Sequence, residues 1–140
     1  MAIDIQKVEV WAGEVADEPG AVAKALAALA AAGAAVECVI GRRQPEKPGT
    51  AVLFVTPVKG KKAQAAARDA GLSPAPNVFN LRVEVPWKPD VAAGITRVIE
   101  QEGINLRGLS SITMGKTFVT YLGFDSDEDV KRAVKVLKRR

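Results

Sequence analysis

The 140-residue chain contains no histidine and a single cysteine, Cys38. Without histidine there is no Ser-His-Asp triad, no Cys-His pair and no histidine ligand for zinc. One cysteine excludes a disulfide framework within the chain. Aromatic residues make up only 5% of the sequence against 48% apolar, so the core must be built from Ala, Val, Leu and Ile. Long apolar runs are missing too. The longest uncharged apolar run, residues 25–36, is mostly Ala, whereas a membrane-spanning helix needs about 20 apolar residues. The first seven residues alternate polar and apolar and hold no apolar signal core. Together these absences lead to the expectation of a soluble, cytoplasmic, non-catalytic protein with no metal and no cofactor.

Charge of one sign is also scarcer than the total suggests. The formal net charge is +4, but residues 131–140 hold six basic residues and no acid. The remainder carries 14 basic against 16 acidic residues, a net of −2. The basic excess is therefore a C-terminal feature. It suits the negative end of a helix dipole better than a nucleic-acid surface.

Several segments can be placed by periodicity. Lys7–Ala12 alternates and reads as a strand. Asp17-Glu18-Pro19-Gly20 then opens a helix, with Pro19 suited to its first position and Asp17 able to cap it. Val22, Ala25, Leu26 and Leu29 form one apolar stripe, and Gly33 ends the helix. Strands are expected at 36–40 and 50–55, and an Ala-rich helix at 61–70 before Gly71. Ser73-Pro74-Ala75-Pro76 reads as a short breaker. The pattern then restarts. Leu81–Val85 alternates, and Ile95, Val98 and Ile99 form a helix stripe. Pro89 follows Pro19 at the same interval at which Gly103 follows Gly33. Strands are expected at 104–112 and 117–122 around a turn at Gly115. Ser126-Asp127-Glu128-Asp129 opens a last helix with a buried face of Val130, Ala133, Val134 and Leu137.

The chain is thus two copies of strand–helix–strand–strand–helix. Val78 and Phe79 can supply a fourth strand to the first copy, giving the βαββαβ order. The expected boundaries are 1–77 and 78–140. The second copy lacks an evident final strand: either its sheet is short by one strand, or residues 2–5 or a partner fill that edge.

The combination Val8-Glu9-Val10, Asp17-x-Pro19-Gly20 and Ala32-Gly33-Ala34-Ala35-Val36 resembles the ACT-domain family. It is echoed by Val83-Glu84-Val85, Trp87-Lys88-Pro89-Asp90 and Gly103-Ile104-Asn105-Leu106. The resemblance implies an α+β fold of two ferredoxin-like modules side by side, with antiparallel sheets and helices on one face. It also implies a regulatory protein that binds a small ligand, usually an amino acid, where the loop of one module meets the second strand of the other. One junction would join Asp17, Glu18, Pro19, Gly20 and Ala21 with Asn105 and Leu106. A second, degenerate junction would join Trp87, Lys88, Pro89 and Asp90 with Ala35. Each copy departs from the family pattern, at Ala34-Ala35 in the first and at Pro89-Asp90 in the second. A homodimer or a partner metabolic enzyme follows as an expectation. The alternative is a protein–protein adaptor, or a regulatory subunit without a ligand of its own.

Other signals are weaker. Gly115-Lys116-Thr117 resembles the end of a phosphate-binding loop, but Ser110 stands where that pattern needs Gly. An RNA-binding sheet needs stacked aromatics on one face, and Phe118 and Tyr121, three apart, point to opposite faces. Cys38 reads as a packed core thiol. Trp87 either covers a ligand or packs between modules.

Overall fold

The computed structural model describes residues 3–76 and 78–139. The elements, in chain order, are β1 (Asp4–Val8), β2 (Trp11–Ala16), α1 (Ala21–Ala31), β3 (Cys38–Arg43), β4 (Thr50–Thr56), α2 (Lys61–Asp69), β5 (Ser73–Pro74), β6 (Phe79–Pro86), α3 (Val91–Gln101), β7 (Gly108–Met114), β8 (Thr117–Phe124) and α4 (Asp127–Lys138). Among the described residues they form two antiparallel four-stranded sheets, ordered β3-β4-β2-β5 and β1-β6-β8-β7. Among the described residues no helix is long and apolar enough to cross a membrane.

The internal repeat is carried into the structure. Helices α1 and α3 are both 11 residues long, and β7 follows β3 at the same interval at which α3 follows α1. Gly33 and Gly103 both close their helices at positive φ, 77° and 72°. The repeat loses step at the hairpins, where residues 44–49 separate β3 from β4 but only Gly115 and Lys116 separate β7 from β8.

The chain divides into two compact units, Glu9–Pro76 and a second comprising Met1–Val8 with Asn77–Arg140. This corrects the expected boundaries. The alternation read across residues 7–12 is not one strand. It is the end of β1, the pair Glu9-Val10, and the start of β2. Strand β1 belongs to the second unit, pairing antiparallel with β6 from Asp4↔Glu84 to Val8↔Asn80. The edge that the sequence left open is therefore filled by the N-terminal strand of the same chain. The fourth strand of the first unit is corrected as well. It is β5, which pairs Trp11↔Pro74 and Ala12↔Ser73, whereas Phe79 begins β6 of the second unit. Pro74 is tolerated because β5 is an edge strand, where a missing N–H costs no inner ladder bond.

Each unit packs two helices on one sheet face. In the second unit Leu81, Val83 and Val85 of β6 meet Val91, Ile95 and Ile99 of α3 and Val130, Ala133 and Leu137 of α4. Ile3 and Ile5 pack against the same cluster. In the first unit Trp11, Leu53 and Val55 meet Ala25 and Leu29 of α1 and Ala63 and Ala67 of α2. Val22, expected in the α1 stripe, is instead 39% exposed. With so few aromatics, Trp11 is the largest buried side chain of its unit. Its Nε1–H donates to Glu9 Oε1 at 3.2 Å, and the Arg68 guanidinium lies 5.0 Å from its ring centroid. Helix α4 starts as its sequence requires, with Ser126 Oγ accepting from the Asp129 N–H at 3.1 Å.

A Cβ on Gly13 of β2 would stand 2.1 Å from the backbone oxygen of Gly71, so Gly13→Ala must displace backbone. It should lower stability by about 1–3 kcal/mol in denaturant titration. Gly41→Ala, which meets nothing within 4 Å, should change it little.

Strand β1 is also tied to α4 by Lys7 Nζ donating to Asp127 Oδ1 at 2.8 Å. Hydrogen bonding by Lys7, joined by Lys131, holds the Asp127 carboxyl below the usual Asp range. A folded pKa below the unfolded one stabilises the protein above the unfolded value, and that contribution disappears as pH falls through the folded pKa. Deleting residues 1–8 should raise hydrogen exchange in β6 while sparing β4, and acidification through the Asp range should loosen β1 before β2. Equal exchange gains in both sheets would contradict this assignment of β1.

Candidate functional site

The loop between β2 and α1 is exposed from Asp17 to Gly20. Its anchor is backbone: the Asp17 N–H donates to the Gly49 carbonyl at 3.0 Å, which holds the loop against the β3–β4 hairpin tip. The Asp17 carboxylate does not cap the helix. Oδ2 accepts from Arg43 Nε of β3 at 2.6 Å. Helix α1 begins at Ala21 rather than at Pro19, so its N-cap is Gly20, at φ 90°, without a side-chain cap. The first turn holds no acid. Helical geometry leaves the N–H groups of Val22 and Ala23 without an intrahelical acceptor. A Cβ added at Gly20 would meet nothing within 4 Å, so the approach to this helix end is open. The positive helix end thus faces solvent, with the Asp17 carboxylate engaged by a guanidinium and Glu18 exposed beside it.

The equivalent loop of the second unit uses the same anchor. Trp87, the counterpart of Asp17 in the repeat, donates its N–H to the Lys116 carbonyl at 2.8 Å. Trp87 is 46% exposed, so its indole does not pack into a core. Lys88, Pro89 and Asp90 are exposed as well. The N-cap of α3 is Asp90, at φ −98° and with no side-chain cap bond. Its acidic side chain stands at the helix end that an anionic group would approach. The two loops thus share a backbone anchor but differ at the helix start, where φ is 90° at Gly20 and −98° at Asp90 and only the second cap carries an acid.

Asn105 is exposed and Leu106 half-buried, in the segment between Gly103 and β7. Within the second unit they lie at the far end of the sheet from residues 87–90. The neighbouring Arg107 N–H donates to the Gly123 carbonyl, near the end of β8, whereas Trp87 bonds Lys116 at its beginning. At about 3.4 Å per residue, the length of β8 separates them. Ala35 is likewise remote from Asp17 in the first unit, since the Glu37 N–H bonds Thr56 at one end of β4 and Asp17 bonds Gly49 at the other. No single unit brings a loop together with its Asn105-type segment.

Sequence reading missed Arg43. Nothing in spacing links it to Asp17, 26 residues away. A cluster beside the hairpin was also missed: Lys47 Nζ donates to Glu14 Oε1 and Oε2 at 2.9 Å, and Gln44 Nε2 to Glu14 Oε1 at 3.2 Å. Hydrogen bonding by Lys47 and then Gln44 lowers the Glu14 pKa. Cys38 is half-buried, and burial pushes its thiol pKa up, away from thiolate chemistry. No group of three or more His, Cys, Asp or Glu residues suited to a metal occurs among the described residues. Phe118 faces the core opposite Val85 while Tyr121 pairs with Arg82 on the other face, so no aromatic platform forms.

No family model matches the sequence, and no curated protein matches it. Solved structures do match its fold. Protein BT0572 from Bacteroides thetaiotaomicron superposes with TM-score 0.79 at 12% identity, over 96% of this chain and 89% of that one. The ligand-free regulatory subunit of aspartate kinase from Thermus thermophilus gives 0.66 at 19% identity, over 99% and 94%. Aspartate kinase from Clostridium acetobutylicum gives 0.58 at 16% identity, with 96% of this chain covering 33% of that one. The α+β architecture of two four-stranded antiparallel sheets is thus one shared with ACT-type regulatory domains.

Exchanging the loop charges should expose the difference between the two loops. Asp90→Gly should make the α3 N-terminus resemble that of α1 and give it measurable affinity for acetate by amide chemical shift. Ala21→Asp, which places an acid in the first turn of α1 at an ordinary helical position, should lower any such affinity there.

Proposed function

We propose that the chain is a non-catalytic regulatory module that binds a small carboxylate-bearing ligand, an amino acid, at the N-terminus of α1. The observation that carries this reading is the uncapped, acid-free start of α1 behind Gly20, with Asp17 neutralised by Arg43. Backbone N–H groups at such a helix end suit a carboxylate. Glu18, Pro19 and Ala21 shape the loop around it. Asn105 and Leu106 are proposed as the second contributor, an amide able to accept from an ammonium or donate to a carboxylate. The loop of Trp87, Lys88, Pro89 and Asp90, with Ala35, is the weaker site, because Asp90 opposes an anion. The fold shared with aspartate kinase regulatory subunits supports a role beside a metabolic enzyme in the cytoplasm, with the ligand shifting an equilibrium between states.

The test is a panel of free amino acids followed by thermal stability. At 100 times Kd a ligand adds about 2.7 kcal/mol. Ala21→Asp is the diagnostic variant. An acid in the first turn should keep or raise stability, by about 0.3–1 kcal/mol, while lowering ligand affinity. Gly20→Val is less informative, because φ 90° strains any β-branched residue whatever the ligand does. Asn105→Ala should cost about 0.5–3 kcal/mol of binding, according to whether its partner is neutral or charged. Bound ligand should protect residues 17–22 and 104–107 together from hydrogen exchange. If no amino acid stabilises the chain at millimolar concentration, the adaptor reading takes precedence.

A further inference from the structure

In chain order the first unit is an insertion within the second. Strand β1 precedes residues 9–76 and β6 follows them, yet the two strands are neighbours in one sheet. Pairing Val8 with Asn80 therefore closes a loop of about seventy residues, and the probability of closing a flexible loop falls as the three-halves power of its length. A strand of five residues that must close so long a loop is weakly held by its own ladder.

The folded first unit removes most of that length. Its own ladder sets Trp11 opposite Pro74 and Ala12 opposite Ser73, so the two ends of the insertion leave it side by side. The exit is fastened further. The Ala75 N–H donates to the Val10 carbonyl at 2.9 Å, and Oγ1 of the buried Thr56 donates to the Glu9 carbonyl at 2.9 Å. The Glu9 carboxylate also accepts from Trp11 Nε1, whose ring is buried in the first core. Only about seven residues then separate the pair Trp11↔Pro74 from the pair Val8↔Asn80, so the effective loop is about tenfold shorter and closes about 30 times more readily.

We propose that the first unit is a clamp on β1: while it is folded it delivers β1 to β6, and whatever stabilises it, at any site, also seats β1 in the second sheet. The coupling is reciprocal. Seated β1 closes the unfolded first unit into a ring, as a cross-link between positions 8 and 80 would, and favours its folding by the same factor. A ligand or partner of the first unit is thus sensed at the β1 edge of the second through chain connectivity. The clamp does not rest on the carboxylate site at α1, and it operates without any ligand.

Hydrogen exchange and urea unfolding of the full chain test it. Leu53→Asp puts a carboxylate into the first core and should unfold that unit. The expected result is about 30-fold more frequent opening of the β1 amides that β6 holds, with the α3 and α4 amides still protected. Ile5→Asp is the reciprocal variant, because Ile5 fixes β1 to the second core, and it decides the matter if Leu53→Asp leaves nothing folded. In a Trp87→Phe background Trp11 alone reports the first unit, whose folding constant should fall about 30-fold although Ile5 belongs to the other unit. Roughly ten Gly/Ser residues inserted after Pro76 should weaken either effect about fourfold. Unchanged β1 exchange in a chain whose first unit is unfolded overturns the proposal. So does an unchanged first-unit folding constant in Ile5→Asp, or a coupling indifferent to the insertion.

Discussion

An inner strand must give its N–H and C=O groups to a neighbour on each side, and β6 depends on a segment about seventy residues earlier in the chain, beyond the whole first unit, to do so. Strand β1 supplies that second ladder. It also seals the margin of the core, where Ile3 and Ile5 lie against the cluster built on Leu81 and Val83. The first unit meets the same need with β5, only two residues long. The chain therefore closes its second unit with its first strand. The Glu9-Val10 step between β1 and β2 is where it passes from one unit to the other.

The repeated plan keeps the backbone anchor of the loop and varies the helix start beside it. The N–H of Asp17 and the N–H of Trp87 make equivalent hydrogen bonds to their hairpins. The helix caps one turn later differ, Gly20 in one and Asp90 in the other. A positive helix end is a weak, general attractor of anions, and a fixed acid beside it reverses the local preference. Divergence at that position leaves the α1 start without an acidic cap and gives the α3 start one. Asp17 is engaged by Arg43, and Glu18 is the remaining exposed acid of that loop.

Much of this was legible in the residues. The spacing of Pro19 and Pro89, and of Gly33 and Gly103, located both helices, and the apolar stripes of α3 and α4 named their buried faces. The Ser126 cap was readable because the chemistry is local. Three features were not readable for physical reasons. Period-2 alternation runs unbroken through Glu9-Val10, so two strands in different sheets look like one. Ser73-Pro74 looks like a breaker because proline's prohibition applies to inner strands, and only topology shows that β5 is an edge. The Asp17–Arg43 pair depends on register across a hairpin, which the sequence does not encode by spacing. The expected cap by Asp17 failed for the same reason: the carboxylate had a charged partner, and the helix began later, behind Gly20.

The most direct measurement is an amide chemical-shift titration of the full chain with single amino acids. Saturable shifts are expected at Val22 and Ala23, the first-turn donors of α1 that lack intrahelical acceptors, with Ala92 and Ala93 of α3 unmoved. Shifts at α3 without α1, or none at either helix, would contradict a carboxylate site at the start of α1.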